Sequence, residues 1–263
     1  MTLTISLRVP DGIVMASDSL LTIQTQLPPK EEFVRCPKCE GRIPHARIAP
    51  SPPVPVSISP NGQKLFCLGE GEKNVGISSF GIGFLTGRTI ESHIREFEKV
   101  SVYGNENIEQ IANKLEEYFR IELTKEVGDL SNISENESPI GFQVAGYDTD
   151  VSCGKTFLVK IGRRSEIEPL HIKGYGCTFG GDGRVIQKLW KEDPYIPIAM
   201  PNFHLLTLQD AIDYAIFLMQ TTIQFQRFAT MIPTCGGDID IAVITHQEGF
   251  MWIERKELVG VYR

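Results

Sequence analysis

The chain of 263 residues reads as an α+β protein. Two observations predict that class. Short alternating apolar runs open the chain, return in its middle and close it, which is strand patterning. Between them lie segments whose apolar residues recur at helical spacing. The order is strands, two helices, strands, two helices, strands, and it suits two antiparallel sheets between helix layers.

Thr2 opens the first strand, Leu-Thr-Ile-Ser-Leu-Arg-Val, which meets the turn Pro10-Asp11-Gly12 and returns as Ile-Val-Met-Ala-Ser-Asp18. Proline presets the entry to such a turn and glycine frees its exit, so the two runs read as a β-hairpin. A second strand pair is expected over 63–68 and 74–83. Ile90, Ile94 and Phe97 then fall at helical spacing within 88–99. Ile108, Ile111, Leu115, Tyr118, Phe119 and Leu123 repeat the pattern over 107–127. A turn-rich stretch, 128–139, leads to strands at 140–147, 156–161 and 167–173. A short helix follows from Gly183 to Lys191, then a long apolar one from Leu208 to Thr230. Phe217, Met219, Phe225 and Phe228 are expected to pack one face of it. The runs 234–245 and 248–253 read as a closing hairpin.

The whole chain is expected to be one domain, 1–263, carrying an insertion at about 20–61. Nine of the sixteen prolines fall between Pro28 and Pro60, which excludes regular helix there. Within it stands Cys36-Pro-Lys-Cys39, the shape of one zinc-ribbon knuckle, with His45 as a third candidate ligand. A closed zinc site needs four ligands, and no second Cys-x-x-Cys exists in the chain. Cys36 and Cys39 are therefore either half of a structural zinc site, completed elsewhere, or two thiols on a loop. His93, His171, His204 and His246 lack ligand spacing and read as packed or surface histidines.

Hydrophobic residues at 41% and charged residues at 22% are ordinary for a globular chain. A net charge of −7 argues against a broad nucleic-acid surface. No run approaches the ~20 apolar residues of a membrane-crossing helix. Without a charged-then-apolar signal peptide, the six cysteines are not expected to form a disulfide framework, and the cytoplasm is the expected compartment.

Removal of Met1 would leave a first residue bearing both a hydroxyl and a free α-amine. Such a residue can serve as its own nucleophile and base, because an α-amine titrates near ~7.7–8. The hairpin that follows Thr2 and closes on Asp18-Ser19 resembles the start of proteasome β-type subunits, which are N-terminal-nucleophile hydrolases. In that family the catalytic threonine stands sixteen residues ahead of the aspartate closing the second strand, and Asp18 lies sixteen residues after Thr2. The strand pair 63–68 and 74–83 is similar to the next family hairpin, and the closing runs resemble its last one. The likeness spans nearly the whole chain apart from the insertion, some thirty residues longer than the family's connection.

This resemblance implies a four-layer αββα sandwich and assigns roles residue by residue. Lys64 falls at the catalytic lysine, and Gly81, beside Phe80, marks the turn that supplies the oxyanion N–H. A cationic Lys64 would favour the alkoxide of Thr2, and Asp18 would hold Lys64 in place. An N–H near Gly81 would stabilise the charge developing on the attacked carbonyl. No cofactor is required by this scheme. The chain departs from the family at three supporting positions, where Gly181, Ile232 and Cys235 replace Ser, Asp and Ser. Bacterial proteasome-like proteins of the Anbu kind are similarly reduced. The implied function is a threonine-nucleophile amide hydrolase, a peptidase acting on peptide or protein as a ring or spiral of identical copies. An ATP-dependent unfoldase is a candidate partner. A non-catalytic scaffold or binding subunit is the alternative, and an amidohydrolase for small non-peptide amides is a narrower third.

Overall fold

The computed structural model describes residues 2–25, 34–35, 42–43, 54–69, 75–102, 104–149, 151–172, 174–191, 200–230 and 232–257. β1 (Leu3–Val9) and β2 (Gly12–Asp18) form the expected antiparallel hairpin, with Thr4 opposite Ser17 and Val9 opposite Gly12. All residues of both strands are buried, which places the hairpin in the interior of a sheet.

Residues 22–59 separate as a compact unit from the rest of the chain, 1–21 with 60–263. In this segment β3 (Leu21–Thr25) precedes two short paired strands, β4 (Val34–Arg35) and β5 (Arg42–Ile43). β6 (Val54–Ser59) then pairs with β3. Cys36, Cys39 and His45 lie outside the described residues.

In the larger unit β7 (Leu65–Leu68) and β8 (Val75–Gly81) pair next, and β9 (Phe84–Leu85) with β10 (Arg88–Thr89) forms a small ribbon. The helix expected from Arg88 starts two residues later as α1 (Ile90–Ser101), because the Thr89 side chain caps it through the Ser92 N–H. α2 (Ile108–Val127) begins with a capping box between Asn107 and Gln110 and ends at Gly128, whose φ of 75° suits glycine. β11 (Ile140–Gly146), β12 (Lys155–Ile161) and β13 (Glu166–Leu170) complete an antiparallel sheet in the order β13-β12-β11-β8-β7.

The other sheet needs a strand that the patterning does not announce. β14 (Gly176–Gly181) pairs with β1, Leu3 lying opposite Gly181. Three glycines in its six residues erase the alternation by which strands are read. They are spatially required: a Cβ on Gly180 would strike the Phe80 ring, and one on Gly181 would strike the Thr2 carbonyl. After α3 (Arg184–Leu189) and α4 (Leu208–Phe228), β15 (Ile239–Thr245) and β16 (Gly249–Glu254) close the sheet as β14-β1-β2-β15-β16.

α4 packs on β1 and β2, burying Ala211, Ala215 and Leu218 against Leu3, Ile5 and Leu7. α2 packs on β11 and β12, with Phe119 against Phe142 at a centroid distance of 4.5 Å. A third cluster draws Ile13, Met15, Ala242 and Ile244 from one sheet and Leu65 and Ala145 from the other. Met219 packs as the sequence predicts, but Phe217, Phe225 and Phe228 are exposed at 51%, 60% and 80%. The small residues Ala211, Ala215 and Thr222 take the face that meets the sheet, leaving the aromatic stripe outward. Among the described residues no helix is long and apolar enough to cross a membrane.

Candidate active site

The β1–β2 hairpin and the start of β7 bring Thr2, Asp18 and Lys64 together. Lys64 Nζ lies 2.8 Å from Asp18 Oδ1 and donates also to the Leu20 carbonyl at 2.6 Å. The ion pair is sealed, with Asp18 fully buried and Lys64 exposed by 5% at its side chain. Thr2 is equally buried, and Thr2 and Lys64 share the lining of a cleft of ≈ 90 Å³.

Asp18 is the hub. Its Oδ1 accepts the Leu3 N–H at 3.0 Å, directly after Thr2, and Oδ2 accepts the N–H groups of Leu20 and Gly236 at 3.1 and 2.9 Å. Burial pushes its carboxyl up and pushes Lys64 down; the charge of each partner opposes both movements. Four donors converge on Asp18, and only an ionised carboxylate offers lone pairs to all of them. The pair therefore stays charged at neutral pH, with Lys64 poised below the ordinary lysine range.

Backbone bonds brace the pair. Ser19 N–H donates to the Gly236 carbonyl at 3.1 Å, and Gly62 N–H donates to Ser19 at 2.8 Å. Gly81 ends β8 at φ 99°, and a Cβ there would strike the Pro139 carbonyl. Gly81 itself does not line the cleft; its neighbours Phe80, Ile82 and Gly83 do. The Ile82 N–H is taken by the Pro139 carbonyl at 2.9 Å.

A second polar cluster, which sequence reading missed, lies behind Thr2. The register that sets Leu3 against Gly181 brings Asp182 beside Thr2, and the Asp182 N–H donates to the Thr2 carbonyl at 2.7 Å. The Asp182 carboxylate accepts from Thr234 Oγ1 at 2.5 Å, Gln226 Nε2 at 3.1 Å and Arg184 Nη2 at 2.6 Å. Gln226 Oε1 in turn accepts the N–H groups of Thr234 and Cys235, fixing the segment whose Gly236 reaches Asp18. The Arg184 hydrogen bond, reinforced by Thr234, holds the Asp182 carboxyl down at about 2 despite burial. Cys235 is buried in the same segment, and burial pushes its thiol up to about 12. The cluster contains no serine, so a search for the family's Ser-Asp-Ser set passes over it.

The two antiparallel five-stranded sheets form a fold shared with proteasome-like proteins of solved structure. Anbu proteins are among the solved structures it is similar to. Anbu (ancestral β-subunit) from Yersinia bercovieri superposes with a TM-score of 0.57 at 15% identity, over 95% of this chain and 86% of that one. The helical assembly of the Anbu complex from Pseudomonas aeruginosa gives 0.55 at 16% identity, over 92% and 81%. A Gly-1 mutant of Anbu from Hyphomicrobium sp. strain MC1 gives 0.56 at 13% identity, over 93% and 82%. No protein-family model and no curated protein matches the sequence.

Proposed function

We propose that this protein is a threonine-nucleophile amide hydrolase, a peptidase built on a four-layer αββα sandwich and active after removal of Met1. The observation that carries the reading is the buried Asp18–Lys64 pair sharing a cleft with Thr2. Buried ion pairs are costly and are weak devices for stability; one placed beside an N-terminal threonine has a chemical use. Thr2 Oγ1 would attack the carbonyl carbon of the amide while its proton passes to the α-amine. Lys64, charged and fixed by Asp18, would stabilise the forming alkoxide. A backbone N–H of the 81–83 turn would hold the carbonyl oxyanion. The amine leaving group takes the proton, and water then hydrolyses the acyl ester on Thr2.

The helical assembly formed by the Pseudomonas Anbu complex supports self-association here. The exposed Phe217, Phe225 and Phe228 stripe on α4 supplies an apolar surface for it. A structural zinc on Cys36 and Cys39 is the corresponding proposal for the insertion; metal analysis of the intact protein and of Cys36→Ser tests it. The scaffold alternative draws on Gly181, Ile232 and Cys235, which remove the family's supporting side chains. Hydrolysis of a fluorogenic peptide panel separates the two readings. Turnover lost in Thr2→Ala supports the hydrolase; equal background in both proteins supports the scaffold.

A further inference from the structure

The molecule holds a second buried cation, far from Thr2. Arg8 is only 6% exposed, and among the described residues it has no carboxylate partner. It stands six residues beyond Thr2, roughly 20 Å along extended chain. Nη1 donates to the His171 carbonyl at 2.9 Å, and Nη2 lies against Cys153 Sγ. The guanidinium also sits over the Tyr175 ring, 5.7 Å from its centroid. Guanidinium carries five N–H donors in a fixed fork, so these contacts leave donors for another acceptor. Burial, together with the Arg8 charge, holds His171 below the ordinary histidine range, so its ring is neutral at pH 7.

Burying a guanidinium without a counter-charge costs several kcal/mol. Here the cation opens on a cleft of ≈ 460 Å³ whose walls include Asp11, Tyr147, Cys153, Tyr175 and His246. That volume lies in the range of small-molecule sites, roughly 300–1,000 Å³, and exceeds that of the Thr2 cleft. Nothing in the hydrolase reading uses it.

We propose that this cleft binds a small molecule bearing one carboxylate, which Arg8 grips through its fork, with an apolar or aromatic body against Tyr147 and Tyr175. A carboxylate matches guanidinium geometry and supplies the missing counter-charge. Asp11 on the same cleft decides against a phosphate dianion, since a second negative charge would face a carboxylate without a second cation to offset it. The site is independent of whether Thr2 is reactive.

The exposed Cys153 thiol touches Arg8 and so reports on occupancy. The experiment is iodoacetamide alkylation of the full-length wild-type protein, with each cysteine quantified by peptide mass spectrometry. It is run in sodium benzoate, sodium phosphate or sodium chloride at one ionic strength. Benzoate is expected to slow alkylation of Cys153 at least threefold and saturably, while the buried Cys177 and Cys235 report any unfolding. Arg8→Lys, which keeps the charge and loses the fork, should weaken that protection at least threefold. Equal rates in benzoate and chloride overturn the proposal. Protection by phosphate equal to that by benzoate overturns the carboxylate assignment.

Discussion

Lys64 and Arg8 are both buried cations, and they are treated in opposite ways. Lys64 meets a carboxylate at 2.8 Å inside a cleft of ≈ 90 Å³. Arg8 meets a carbonyl, a thiol and an aromatic ring beside a cleft of ≈ 460 Å³. The first charge is balanced within the chain, as the proposed hydrolase chemistry asks of a group that acts without being consumed. The second has no carboxylate partner among the described residues, and the proposed ligand would balance it. Complete internal compensation marks preorganised chemistry; incomplete compensation beside open volume marks a place for a ligand.

Substitutions can break this contrast. The largest effect is expected for Lys64→Met, which strands the fully buried Asp18. Breaking a buried pair in this way costs ~3–5 kcal/mol, and urea unfolding should read a loss of that size together with loss of any reaction at Thr2. Asp182→Asn comes next. The Asp182 carboxyl lies depressed from 3.8 to about 2, so its contribution is fully present above the unfolded value and is lost as pH falls through the folded one. That shift corresponds to about 2 kcal/mol at neutral pH. Wild type should therefore lose stability relative to Asp182→Asn between about pH 4 and pH 2, read by unfolding at each pH.

Arg8→Met sharpens the contrast from the other side. It strands no buried carboxylate among the described residues, and the lost bond to the His171 carbonyl is offset by relief of the buried charge, so a loss of no more than about 1 kcal/mol is expected. A loss as large as that of Lys64→Met would show that Arg8 is balanced within the chain. The smallest effect on stability belongs to Phe225→Ser on the exposed face of α4, expected within about 0.5 kcal/mol. Its consequence should appear in light scattering instead, as weaker self-association.

Much of this was legible in the sequence, for local reasons. Thr2 and Asp18 flank and close one hairpin whose turn residues fix the register, and Lys64 directly precedes β7. Helical spacing located α1 and α2, whereas the caps that set their starts, Thr89 and the pair Asn107 with Gln110, came from the structure. Asp182, Gln226 and Thr234 were not legible as a group. Gln226 and Thr234 lie 44 and 52 residues from Asp182, which reaches them at the end of β14, the strand paired with β1. Arg8 escaped notice for a related reason: a charged residue in an alternating strand reads as outward, and only the covering segments around His171 and Cys153 bury it. The outward phenylalanines of α4 show the converse, since helical spacing gives two candidate faces and the sheet chose the one with small residues.

The central claim is that Thr2 becomes a free, reactive N-terminus. The most direct test is the intact mass of protein purified from its own host, before and after incubation with a β-lactone or epoxyketone probe. The account predicts loss of one methionine and a single covalent adduct that Thr2→Ala does not form. Retained Met1 with no adduct would contradict it and leave the proteasome-like scaffold as the reading of this fold.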